Sequence, residues 1–194
     1  RIDVAGLPVQ LLSLSGHKFH GPKGVGALYV KRRTRLRPLI VGGRQERDLR
    51  GGTENVAGIV GMGVAAESAK ELRDGGGAIA SLRDRLETGL TKAFPGAQII
   101  GKDAPRISNT TNISFPGLEA EAGLLLLSES GICASCSSGS LEPSPVLQAM
   151  GIDQRISHGA VRFSLSHMNT SDEIDHVVRV LPQLLSRLSV LASD

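Results

Sequence analysis

Ser15-Gly16-His17-Lys18 places a hydroxyl, an imidazole and a primary amine within four residues. They end an apolar, strand-like run, Val9-Gln10-Leu11-Leu12-Ser13-Leu14. The glycines and proline of Phe19-His20-Gly21-Pro22-Lys23-Gly24-Val25-Gly26 then call for a turn. A rigid strand opening into a loop is a common position for catalytic groups. An amine displayed there suits covalent chemistry, although an isolated lysine is ordinarily a solvated surface group.

Two further sites carry reactive groups. Cys133 and Cys136 are the only cysteines, and their Cys-x-x-Cys spacing would suit a redox pair or half of a zinc site. Neither a second pair nor a thioredoxin-like strand and helix accompanies them. The serines and glycine after Cys136 argue against a buried, inert thiol. Arg162 lies in Val161-Arg162-Phe163-Ser164-Leu165, where alternation puts it on a face with Ser164 and away from the apolar set. A guanidinium so placed is either an edge charge or a planar, two-pronged clamp for an anion.

Four segments, in order, resemble the NifS/IscS-type cysteine desulfurases, enzymes of fold type I that use pyridoxal phosphate (PLP). They are Ser13 to Val30, which contains the lysine; Gly42-Gly43-Arg44-Gln45-Glu46-Arg47 leading to Arg50-Gly51-Gly52-Thr53; Cys136-Ser137-Ser138-Gly139-Ser140-Leu141-Glu142-Pro143-Ser144; and Val161 to Leu165. The resemblance runs from about Ile2 to the C-terminal helix.

By this resemblance Lys18 is the Schiff-base lysine that holds PLP and moves protons once substrate has displaced it. Ser15 and His17 match residues that touch the cofactor phosphate; from the residues alone they could equally stabilise the turn. Thr53 matches a threonine that reaches across a homodimer interface to the partner's cofactor phosphate, with glycines that let backbone amides approach an anion. An N-cap role for Thr53 before the helix at Asn55 is compatible. Arg162 matches the clamp for the substrate α-carboxylate. Cys136 matches the cysteine whose thiolate takes sulfur from L-cysteine as a persulfide, leaving L-alanine, and passes it to an iron-sulfur scaffold or another acceptor. A transient cluster contact through Cys136 is the one metal role implied.

The resemblance also sets expectations about what surrounds these residues. The family has several more small residues between the counterpart of Gly131-Ile132-Cys133-Ala134-Ser135 and the cysteine. That difference is read here as a mobile piece skipped by the numbering, in preference to a shortened loop. The family's lysine sits near mid-chain, so about half of such an enzyme is expected before Arg1, in a longer precursor or a separate chain. Alternatives are a selenocysteine lyase or another fold-type I PLP enzyme, and a fragment that only docks to a sulfur acceptor. The pathway, nitrogen fixation or general cluster assembly, stays open.

The elements that must position these groups fall into two regions. Residues 1–73 read as strand, catalytic turn, strand (Val25–Val30), basic loop and a helix from Asn55 to about Leu72 rich in small residues. By the resemblance, this region is expected to be the α/β end of the large PLP-binding domain of a fold-type I transferase, with its connecting helix. A break is expected at Asp74-Gly75-Gly76-Gly77. Residues 74–194 read as a small α+β domain of mixed strands with helices on one face. Its helices are expected at Ala78–Ala93 and Glu119–Ser130, and its strands at Ala97–Ile100, Thr111–Phe115 and Val161–Leu165. A helix is expected to start at Pro143. The last helix opens on a capping box, Thr170 with Glu173, and carries Ile174, Val177, Val178, Leu181, Leu184, Leu185 and Leu188 on one stripe, with a kink expected at Pro182.

Composition excludes little else. The 194 residues are 40% apolar and carry a net charge of +3, a globular balance. Five cations crowd Lys31-Arg32-Arg33-Thr34-Arg35-Leu36-Arg37, but aromatics are 3% of the chain, so no stacking platform for nucleic acid accompanies them. A solvated loop accounts for the run better. No apolar stretch reaches membrane-spanning length, no signal-peptide layout is visible, and two cysteines suit a reducing compartment. The expectation is a soluble, cytoplasmic protein that binds neither membrane nor nucleic acid.

Overall fold

The computed structural model describes residues 2–71, 76–136 and 144–191. The chain divides into two compact units, Arg1–Arg73 and Asp74–Asp194. Asp74 and Gly75 of the expected break, and Ser137 to Pro143 of the serine-rich string, lie outside the described residues, as does the side chain of Leu188.

In the first unit, β1 (Leu11–Ser15) and β2 (Gly26–Val30) form an antiparallel hairpin in which Leu11 faces Val30 and Ser15 faces Gly26. A 3-10 turn, Gly16–Phe19, follows β1 at once, and His20 in the left-handed region ends it. The basic run after β2 is a loop, and all five of its cations are exposed. Gln45–Asp48 is an irregular turn with positive φ at Glu46, Arg47 and Asp48. α1 (Val56–Glu71) follows, with Asn55 as its cap: the Asn55 side-chain oxygen accepts from Gly58 N at 3.1 Å. Thr53 therefore does not cap this helix.

The second unit is built on a four-stranded sheet in the order β3 (Gln98–Ile99), β4 (Thr110–Ser114), β6 (Ala160–Ser164), β5 (Ser135–Cys136). Every pairing described is antiparallel, which corrects the expectation of mixed strands. β6 is an interior strand because it pairs on both sides, so Arg162 is not an edge charge. α2 (Gly76–Ala93) begins two residues earlier than expected, inside the glycine run. α3 (Ala120–Glu129), α4 (Pro145–Ala149), α5 (Gln154–His158) and α6 (Ser171–Leu191) complete the unit. Pro145 occupies the first turn of α4, where its missing N–H costs no hydrogen bond; this is the described helix start nearest the one expected at Pro143. The sequence reading did not include α5 or the two-residue β5.

The apolar face of the sheet, Ile113, Val161 and Phe163, packs on Leu86 and Leu90 of α2, Leu127 of α3, and Ile174, Leu181, Leu184 and Leu185 of α6. Phe94 and Phe115 meet edge to face at 5.5 Å. α2 and α6 come close at Gly89, where a Cβ would lie 2.6 Å from Val178 Cγ2. The expected capping box forms: Thr170 N donates to Glu173 Oε2 at 2.8 Å and Glu173 N to Thr170 Oγ1 at 3.3 Å. α6 carries Pro182 within it and continues to Leu191. The opposite face of the sheet is not bare of helix, since Ser114 Oγ donates to the Ile156 carbonyl of α5 at 2.6 Å. No helix among the described residues is long and apolar enough to cross a membrane.

One buried ion pair ties α2 to the loop before β4. Arg106 forks onto Glu87 at 2.7 and 3.3 Å, and Glu87 is only 6% exposed. Burial pushes the Glu87 carboxyl up, but the Arg106 hydrogen bond and the charges of Arg106 and Arg83 outweigh it and hold it below the usual carboxylate value.

Candidate active site

The turn after β1 is strapped at both ends. Gly16 N donates to the Val25 carbonyl and Gly21 N to the Gly16 carbonyl, each at 2.9 Å. Gly16 itself is buried: a Cβ there would sit 3.0 Å from Val25 O and 3.3 Å from Met62 Cγ of α1. Pro22 rests against the same helix at Gly61. The backbone is thus held from below while Ser15, His17 and Lys18 stay exposed. None of these three side chains has a hydrogen-bond partner among the described residues.

This arrangement fits PLP. An amine is needed for the cofactor's aldehyde carbon and donors for its phosphate, and an exposed Lys18 flanked by a hydroxyl and an imidazole supplies both kinds of group. The reading of Ser15 and His17 as mere turn stabilisers loses its support, because the turn is tied by backbone bonds instead.

The segment leading to Thr53 is organised differently from the expectation. Gly51 N is taken by the Ile40 carbonyl at 2.8 Å and Gly52 N by Gln45 Oε1 at 3.3 Å, so neither glycine amide is left for an anion. Arg50 Nη1 donates to the Gly51 carbonyl at 2.8 Å. What this loop offers is the exposed side chain of Thr53, unused by α1.

In the second unit the ladder register sets Ser135 and Asn112 opposite Arg162, and Cys136 opposite Val161. Paired residues share a face of the sheet. Arg162 is therefore exposed on the side away from the core helices, with Ser135 and Asn112, whereas Cys136 faces the core and packs against it, half-buried. The expected surface thiol is thus found on the helix side. Neither cysteine forms a disulfide. Ser135 and Cys136 are consecutive residues and together make up β5. The exposed thiol is Cys133, beside a groove of about 620 Å³ that Ser164, Asn169, Asp172, His176 and Arg179 also line. Among the described residues no group of three or more His, Cys, Asp and Glu could hold a metal ion.

Asn112 and Ser135 escaped the sequence reading. Alternation along Thr110-Thr111-Asn112-Ile113-Ser114 does put Asn112 on the face away from Ile113, but only the pairing of β4 with β6 sets it beside Arg162.

An exposed lysine on a strapped turn, beside a hydroxyl and an imidazole, suits a PLP-dependent transferase. The class-V aminotransferase family model matches residues 1–177, and the chain belongs to that family. It is 52% identical to cysteine desulfurase 2 of Trichormus variabilis over 95% of this chain and 47% of that protein. To the cysteine desulfurase NifS of Azotobacter vinelandii it is 50% identical, over 96% of this chain and 48% of that protein. A solved NifS-like protein superposes with a TM-score of 0.87 at 41% identity, covering 95% of this chain and 48% of that one. The chain spans about half the length of the curated relatives it matches.

Proposed function

We propose that this chain is part of a PLP-dependent cysteine desulfurase that converts L-cysteine to L-alanine and holds the sulfur as a persulfide on Cys136. The observation that carries the reading is the unpartnered Lys18, displayed with Ser15 and His17 on a backbone-strapped turn. Similarity of about half to several cysteine desulfurases supports the substrate. The first unit is read as the end of a larger PLP-binding domain and the second as the small C-terminal domain.

The roles divide as follows. Ser15 and His17 donate to the cofactor phosphate, with Thr53 contributing from the partner of a homodimer. Lys18 Nζ binds the cofactor and, once free, takes the proton at the substrate Cα. Arg162 forks onto the α-carboxylate. When bound, PLP supplies the electron sink for the pair left at Cα. The Cys136 thiolate attacks the substrate sulfur, forming an S–S bond as the Cβ–S bond breaks. The bonding pair stays with the substrate Cβ and is capped by a proton, the proton held on Lys18 Nζ returns to Cα, and alanine leaves. Because Cys136 faces the core while Arg162 faces away from it, this attack requires β5 to leave β6. A pairing of two residues makes that opening inexpensive.

The sulfur then goes to an acceptor, which we take to be an iron-sulfur scaffold protein, with any cluster contact at Cys136 transient. Two unbridged cysteines support a reducing, cytoplasmic setting. The test is to load the protein with PLP, supply L-cysteine and follow alanine release and the mass of the Cys136 peptide. Lys18→Ala should lose both products and the cofactor's visible absorption. Cys136→Ala should lose the persulfide peptide, and sulfide release by that variant at the parental rate would remove Cys136 from the reaction.

A further inference from the structure

One polar row crosses three strands on the sheet face away from the core helices: Asn112 on β4, Arg162 on β6 and Ser135 on β5, set directly opposite one another by the ladder. Side chains so placed start about 5 Å apart, well within reach of a guanidinium. Arg162 is exposed and has no partner among the described residues. Asn112 Oδ1 is buried and accepts no hydrogen bond. A buried carbonyl oxygen without a donor destabilises the fold, and such groups are rare enough to require a reason. A carboxylate fork uses two of the five guanidinium N–H groups, which leaves donors for a second acceptor.

We propose that Asn112 is a positioning residue for the amino-acid carboxylate: its Oδ1 receives one N–H of Arg162 when the guanidinium turns its fork to the bound carboxylate. This rests on the reading of Arg162 as the carboxylate clamp. Asn112 touches no reacting atom and acts by fixing the guanidinium plane. The unpaired oxygen is then a cost borne by the ligand-free protein and relieved in the complex. Removing it should weaken affinity without lowering stability, which the loss of an ordinary structural asparagine would not do.

The experiment uses the PLP-loaded protein, with L-alanine as the probe. Its binding constant is read from the cofactor absorption, and the thermal midpoint is taken without amino acid. The parent, Asn112→Ala, Arg162→Ala and the double variant are compared. Asn112→Ala should weaken L-alanine binding about tenfold, the worth of one charge-assisted hydrogen bond, while the midpoint stays level or rises. In the Arg162→Ala background the same change should have no further effect. Parental affinity in Asn112→Ala, an equal loss in both backgrounds, or a lowered midpoint would each overturn the proposal. Parental affinity in Arg162→Ala would instead remove the clamp on which it rests.

Discussion

Cys136 and Arg162 lie on neighbouring strands of one sheet but on opposite faces of it: Cys136 is paired with Val161 and turned toward the core, while Arg162 is exposed on the other side. A thiol held in this way is shielded. The exposed thiol three residues earlier is Cys133.

That arrangement predicts an order of reactivity. In the native, ligand-free protein, iodoacetamide should alkylate Cys133 at least several-fold faster than Cys136, because attack requires an accessible thiolate. Peptide mass mapping over time reads the two rates. In denaturant they should converge, and native rates that already match would show that β5 does not hold Cys136.

The lysine turn should be intolerant of bulk from below. Gly16→Val would drive its side chain into Val25 O and the Met62 side chain, and overpacking of this kind costs about 1–3 kcal/mol. The displaced turn should also lose PLP. Cofactor absorption per protein is the measurement, with a surface change such as Lys23→Ala as the control expected to retain it.

The Glu87–Arg106 pair should give the second unit an acid sensitivity. The folded carboxyl is held below its ordinary value, so its stabilisation is complete above the unfolded carboxylate pKa and is lost as pH falls through the depressed folded one. Glu87→Gln should flatten the loss of stability below roughly pH 5 in urea titrations. At neutral pH it should cost about 1–3 kcal/mol by leaving the partly buried Arg106 without its carboxylate. Glu173, held low by the Thr170 backbone N–H and the Asn169 side chain, acts in the same direction from an exposed position.

Two substitutions on the α2 and α6 crossing should differ in size. Gly89→Leu forces a side chain into Val178 and should cost about 1–3 kcal/mol. Arg85→Ala breaks a fork onto Asp175 at 2.6 and 2.8 Å, but both partners are about half exposed, so the loss should stay below about 1 kcal/mol. Chemical denaturation of both variants compares them directly.

Local chemistry was legible in the amino-acid order. The hairpin around Lys18, the capping box at Thr170 and the long amphipathic stripe of α6 follow from turn residues, capping groups and periodicity, interactions that span a few residues and that spacing alone records. Arg162 was likewise assigned to the polar face of its strand, because alternation decides that. What the tertiary structure decided were the relations between segments far apart in the chain. Register along β6 put Asn112 and Ser135 beside Arg162 and turned Cys136 inward, since a shift of one residue in an antiparallel ladder exchanges the two faces. Hydrogen bonds from Gly51 and Gly52 to Ile40 and Gln45 withdrew amides that the glycines seemed to offer. Both are pairings at a distance, which residue types permit but only the folded chain selects.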